Sequence, residues 1–149
     1  MSEPGRILLV EDSPNDVELT LNALERHTLA NEVVVVRDGE EALDYLHRRG
    51  AYEGRAGGHP VVVLLDLKLP KIDGLEVLQA VRRDPDLHRT PIVMLTSSRE
   101  EQDVVRSYDL GVNAYVVKPV EFQQFVSAIC ELGLFWAVIN QAPPGPTRE

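Results

Sequence analysis

The sequence predicts a doubly wound α/β domain on a five-stranded parallel sheet, and two patterns carry that expectation. Short runs rich in Val, Leu and Ile alternate with stretches whose apolar residues recur at helical spacing. The third run, Pro60 to Leu65, is apolar throughout, as in a central parallel strand buried on both faces. Strands alternating with helices join by right-handed crossovers, which put helices on both faces of the sheet.

Ile7-Leu8-Leu9-Val10 reads as the first strand. Ser13 then caps a helix that opens on Pro14 and puts Val17, Leu21 and Leu24 on one face. Val33 to Val36 is the second strand, followed by a helix with Ala42, Leu43 and Leu46 inward. Gly50 to Gly58 follows that helix, so it reads as a flexible connection and not as a phosphate cradle. After the third strand, Asp73-Gly74 starts a helix with Leu75, Leu78 and Val81 at helical spacing. Pro91 to Leu95 is the fourth strand, Glu100 to Asp109 a weakly amphipathic helix, and Val112 to Val117 the fifth strand. A last helix runs from about Glu121 to about Val138, and the Pro143-Pro144-Gly145-Pro146 segment reads as disordered. The expected division is a tail over 1–5, one folded domain with an extended C-terminal helix over 6–139, and a second tail over 140–149.

A chain of 149 residues has room for one good-sized core. Aromatics are 5% of it, so that core is built from Val, Leu, Ile and Ala. No run is long enough to span a membrane, and the polar start does not resemble a secretory signal. The one cysteine, Cys130, allows no internal disulfide and reads as a small core or interface residue. These features fit a cytoplasmic protein. A net charge of −9 argues against nucleic acid as a direct ligand.

Ligands of open parallel sheets bind beyond the carboxyl ends of the strands. The first strand ends in Glu11-Asp12, the third in Asp66, the fourth in Thr96-Ser97-Ser98 and the fifth in Lys118-Pro119. If the second strand lies at the edge, as in the order 2-1-3-4-5, these four ends converge. Two carboxylates ~4 Å apart repel by roughly 4 kcal/mol at an effective dielectric of ~20, so three need a cation among them. Oxygen donors suit Mg2+, whereas the four histidines lack zinc-ligand spacing. A carboxylate nucleophile beside a metal and a lysine suits phosphoryl transfer through an acyl phosphate.

Glu11-Asp12, Asp66, the Leu69-Pro70-Lys71-Ile72-Asp73-Gly74 turn, Thr96 and Lys118-Pro119, in that order, resemble the receiver domain of bacterial response regulators. Each residue alone has a plainer reading, such as a helix-terminus acid, a turn threonine or a solvated lysine; the ordered set is what is specific. The resemblance runs from about Arg6 to about Gly133 and implies the flavodoxin-like receiver fold. It implies that Asp66 is the phosphoacceptor and that Mg2+, or Mn2+, is bound by Asp12, Asp66 and the backbone carbonyl of Lys68. Glu11 would act through metal-bound water, and Thr96 and Lys118 would touch the phosphoryl group. Thr96 and Tyr115 would form the switch, with Tyr115 turning inward on phosphorylation, and the Lys118-Pro119 bond would be cis. Glu11 departs from the Asp that many members carry there.

Leu134 to Ile139 is apolar almost all round, and such a helix end is buried or partnered. Together with the glycine-bearing loop and Glu11-Asp12, it resembles single-domain regulators partnered with bacterial phytochrome histidine kinases. That resemblance implies a sensor histidine kinase as partner, a bacteriophytochrome among the candidates, and a homodimer through Phe135 and Trp136. The expected role is a phosphorelay switch and not an enzyme. The alternatives are a phosphate sink or relay intermediate, a phosphatase working through an aspartyl phosphate, and a nucleotide- or flavin-binding module. The phosphatase usually needs a second Asp where this chain has Lys68, and no phosphate-binding glycine loop supports the nucleotide module.

Overall fold

The structure is a computed structural model that describes residues 5–25, 31–97, 112 and 114–134. The strands β1 (Ile7–Val10), β2 (Val33–Val36), β3 (Val62–Asp66), β4 (Ile92–Thr96) and β5 (Ala114–Val117) form one sheet in the order β2-β1-β3-β4-β5. All four pairings are parallel, so every carboxyl end points the same way. β3 begins two residues later than the sequence suggests and ends on Asp66, while β4 runs from Ile92 and ends on Thr96. β5 begins at Ala114, not at Val112.

Side chains of a strand point alternately to its two faces, and here both faces are apolar. Leu8, Val10, Val63, Leu65, Ile92 and Met94 face one core, which α2 (Gly39–His47) and α3 (Gly74–Arg83) cover with Ala42, Leu43, Leu46, Val77, Leu78 and Val81. Ile7, Leu9, Val62, Leu64, Val93 and Leu95 face the other, covered by Leu24 of α1 (Pro14–Glu25) and by Phe125, Ala128 and Ile129 of α4 (Phe122–Glu131). Truncating a wholly buried residue such as Leu64 to Ala costs ~2–5 kcal/mol.

Local chemistry starts three of these helices. The Ser13 hydroxyl accepts from the Asp16 N–H at 3.2 Å, and Asp38 Oδ1 accepts from the Glu41 N–H at 2.7 Å. On α3 the box is closed both ways: Asp73 accepts from the Glu76 N–H at 2.9 Å, and Glu76 accepts from the Asp73 N–H at 3.0 Å. Gly74 has no room for a side chain, because a Cβ there would sit 2.2 Å from the carbonyl oxygen of Asp66. That contact packs the first residue of α3 directly onto the end of β3.

Three sequence expectations are corrected. The helix that begins at Phe122 ends at Glu131, short of the expected end at about Val138. Gly133 turns left-handed at φ 73°, and the N–H groups of Gly133 and Leu134 return to the carbonyls of Cys130 and Ile129, each at 3.0 Å. That is a Schellman stop, and Leu134 packs back on the core as the motif favours. The Gly50–Gly58 connection, expected as a flexible link, is tied to the rest of the fold at several points. It opens with a 3-10 turn at Gly50–Tyr52, and guanidinium groups tie it down: Arg6 to the carbonyl of Ala56, Arg48 to those of Arg55 and Gly57, and Arg55 to those of Tyr45 and Gly58. The Arg55 guanidinium also lies 4.0 Å from the ring centre of Tyr45. Cys130 is exposed, which removes the core half of its expected core-or-interface placement. The helix expected over Glu100 to Asp109, Ser98, and the segment carrying Phe135 and Trp136 lie outside the described residues.

Candidate phosphoacceptor and metal site

The chain crosses one end of the sheet at four adjacent strands, and the sheet order brings those ends together. Glu11 and Asp12 follow β1, Asp66 is the last residue of β3, Thr96 is the last of β4, and Lys118 follows β5 directly. Carboxylate oxygens of Glu11, Asp12 and Asp66 all lie within 4.8 Å of one another. Glu11 and Asp66 are buried, while Asp12 is exposed at the mouth.

Lys118 Nζ donates to Glu11 Oε1 and Asp16 Oδ2 at 2.9 Å each, and to Asp66 Oδ2 at 3.3 Å. The other oxygen of Asp66 accepts from the Lys68 N–H at 3.3 Å, and the other oxygen of Glu11 from the Ser13 N–H at 3.2 Å. Thr96 is buried, and its carbonyl accepts from the Lys118 N–H at 2.7 Å, which fixes the lysine backbone to the end of β4. The Lys118-Pro119 bond is cis.

Burial pushes the Asp66 carboxyl up to about 7, and the negative charge of Glu11 adds to that; Lys118 and the Lys68 N–H pull the other way. For Lys118 burial opposes the charge, but the bonds to Asp16 and Glu11 and the charge of Asp66 raise its pKa overall. One ammonium thus meets three carboxylates, with Asp12 clustered beside two of them. The unbalanced charge and the all-oxygen donor set fit a hard divalent cation. A cleft of about 400 Å3 lined by Asp12, Leu67, Lys68, Leu69, Pro70, Asp73 and Leu75 opens beside the cluster.

The sequence-predicted residues meet at the strand ends through specific contacts: Glu11, Asp12 and Asp66 cluster, Lys118 bonds Glu11 and Asp66, the Lys68 N–H bonds Asp66, and Thr96 joins them through its backbone carbonyl. Tyr115 is not among them. It stands on β5 in register with Met94 of β4, is 38% exposed, and lines a second cavity with Gln124, Ser127 and Glu131 of α4. Sequence reasoning missed Asp16. It stands three residues after a capping serine, where an acid reads as a partner of the helix cap, and only the fold brings it to Lys118.

A parallel sheet in this order, with acids after β1 and at the end of β3, a hydroxyl at the end of β4 and a lysine after β5, defines an aspartate-centred signalling module of two-component systems. The chain belongs to the response regulator receiver domain family, which it matches over residues 7–130. It is similar to the response regulator Rcp1 of Synechocystis sp., with 41% identity over 133 residues, 89% of this chain and 89% of that protein. Among solved structures it is similar to the bacteriophytochrome response regulator AtBRR, with 68% identity, a TM-score of 0.86, and coverage of 94% of this chain and 100% of that one. It is also similar to the Mn(2+)-bound form of Rcp1, with 39% identity, a TM-score of 0.74, and coverage of 95% and 100%. The chain is a receiver of two-component signalling. Among the described residues no helix is long and apolar enough to cross a membrane.

Proposed function

We propose that this receiver takes a phosphoryl group from a sensor histidine kinase onto the carboxylate of Asp66. The observation that carries the reading is the Asp66 carboxylate itself, buried at a strand end, 3.3 Å from Lys118 Nζ and clustered with Glu11 and Asp12. An Asp66 oxygen would bond to phosphorus as the donor's N–P bond breaks, with the electron pair leaving on the histidine nitrogen. Lys118 would hold one phosphoryl oxygen and the Thr96 hydroxyl would donate to another. Mg2+, or Mn2+, would be held by Asp12 and Asp66, by the Lys68 carbonyl, and by Glu11 through water; when bound it neutralises charge on the phosphoryl oxygens. The Mn(2+)-bound Rcp1 structure supports that ion choice.

The output in this reading is conformational and not catalytic. Movement of Thr96 toward the phosphoryl group would let Tyr115 leave its exposed position on β5. Asp66 would make the chain a switch in a phosphorelay; Lys68, where a phosphatase would carry a second Asp, weighs against an enzyme. The likeness to AtBRR supports a bacteriophytochrome kinase as partner, acting in the cytoplasm. A homodimer built through Phe135 and Trp136 completes the reading, supported by the apolar Leu134 to Ile139 segment.

The test is transfer from a phosphorylated bacteriophytochrome kinase. Labelled phosphate is expected to pass to the wild-type chain and not to Asp66→Asn. Equal labelling of both would overturn the assignment of Asp66.

A further inference from the structure

We propose that Asp16 is a positioning residue for phosphoryl transfer: it holds the Lys118 ammonium so that one N–H faces Asp66. The inference rests on the assignment of Asp66 as phosphoacceptor.

An ammonium has three donors. At Lys118 they go to Glu11, Asp16 and Asp66, at 2.9, 2.9 and 3.3 Å. Glu11 and Asp16 hold the group by its two shorter bonds, and the third N–H is the one aimed at the carboxylate that reacts. The Lys118 side chain is 11% exposed and four carbons long, so its placement depends on what grips its end.

The first turn of α1 explains why Asp16 is available. A serine cap with an acid three residues on normally closes a reciprocal box, in which the acid accepts from the cap's own N–H. Asp73 and Glu76 on α3 do this. On α1 the Ser13 N–H goes instead to Glu11 Oε2 at 3.2 Å. Ser13 still caps the helix through its hydroxyl, and the Asp16 carboxylate is left to reach Lys118. One glutamate therefore does two things: it takes one donor of Lys118 and frees a second carboxylate to take another.

Acetyl phosphate with saturating Mg2+, followed by intact mass against time, tests this on the full chain. The cap bond uses the backbone N–H of residue 16, so it survives substitution there. Asp16→Ala is expected to slow phosphorylation about fivefold or more, since small misplacements of a reacting group are costly. Asp16→Asn keeps an oxygen acceptor and is expected to stay within about twofold of wild type. Mg2+ affinity, read by titration calorimetry, is expected to change less than about twofold in both. A wild-type or faster rate for Asp16→Ala would overturn the inference. So would equal slowing of both variants, which would assign the effect to charge, or a parallel loss of Mg2+ affinity. Failure of the underlying assignment is separate: Asp66→Asn would label like wild type, and the inference would fall with it.

Discussion

Lys118 and Asp16 lie 102 residues apart in the chain and 2.9 Å apart in space, so the first turn of α1 and the end of β5 meet through one ion pair at the mouth of the Asp66 pocket. The pair sits where carboxylates outnumber cations, and the first predictions concern that imbalance.

Asp66 holds its proton up to about pH 7, against an ordinary value of 3.8. Between those values the folded chain binds a proton that the unfolded chain has lost. Unfolding releases it, so stability falls as pH rises through this window and the loss is complete above it. The loss is on the order of 2–4 kcal/mol. Thermal melts in chelator should show wild type losing more between pH 5 and pH 8 than Asp66→Asn loses. Parallel slopes for the two proteins would contradict the burial of Asp66.

A divalent ion should reverse that loss. At ten times its dissociation constant a ligand stabilises by about 1.4 kcal/mol, and here the effect should be larger at pH 8, where Asp66 is ionised, than at pH 5. Asp12→Ala should abolish most of the gain. Melting temperatures with and without MgCl2 at the two pH values provide the check.

Gly39, at the start of α2, faces the turn that follows Asp66. A Cβ at Gly39 would lie 1.9 Å from the carbonyl oxygen of Ile72, whereas one at Gly58 would meet nothing within 4 Å. Gly39→Ala should cost about 1–3 kcal/mol or more, and Gly58→Ala should be near neutral. Denaturant midpoints of the two variants would separate them.

The fold was legible because its signals are periodic and local. Ile7–Val10 and Val33–Val36 stand where the sequence puts them, and the caps at Ser13 and Asp73 were visible as residue types. Glu11, Asp12, Asp66, Thr96 and Lys118 could be read because each ends a strand and the parallel order gathers strand ends. What stayed hidden depends on contacts between distant residues. Asp16 looks like a capping acid until Glu11 is seen to take the cap's N–H. Nothing local in the sequence marks Arg6, Arg48 and Arg55 as the groups that hold the carbonyls of the glycine-bearing loop. Gly133 was a local signal within reach, a glycine at a helix end, outweighed in the sequence by the apolar run that follows it.

The proposed dimer rests on that apolar run. Phe135→Ala with Trp136→Ala should halve the mass measured by light scattering while leaving phosphorylation of Asp66 in place. An unchanged mass would remove Phe135 and Trp136 from the interface.

The most direct test of the account is the intact mass of the chain after acetyl phosphate and Mg2+. Wild type is predicted to gain one phosphoryl group, to gain none when chelator replaces Mg2+, and to gain none as Asp66→Asn. Labelling of Asp66→Asn at the wild-type level, or of wild type without a divalent ion, would contradict it.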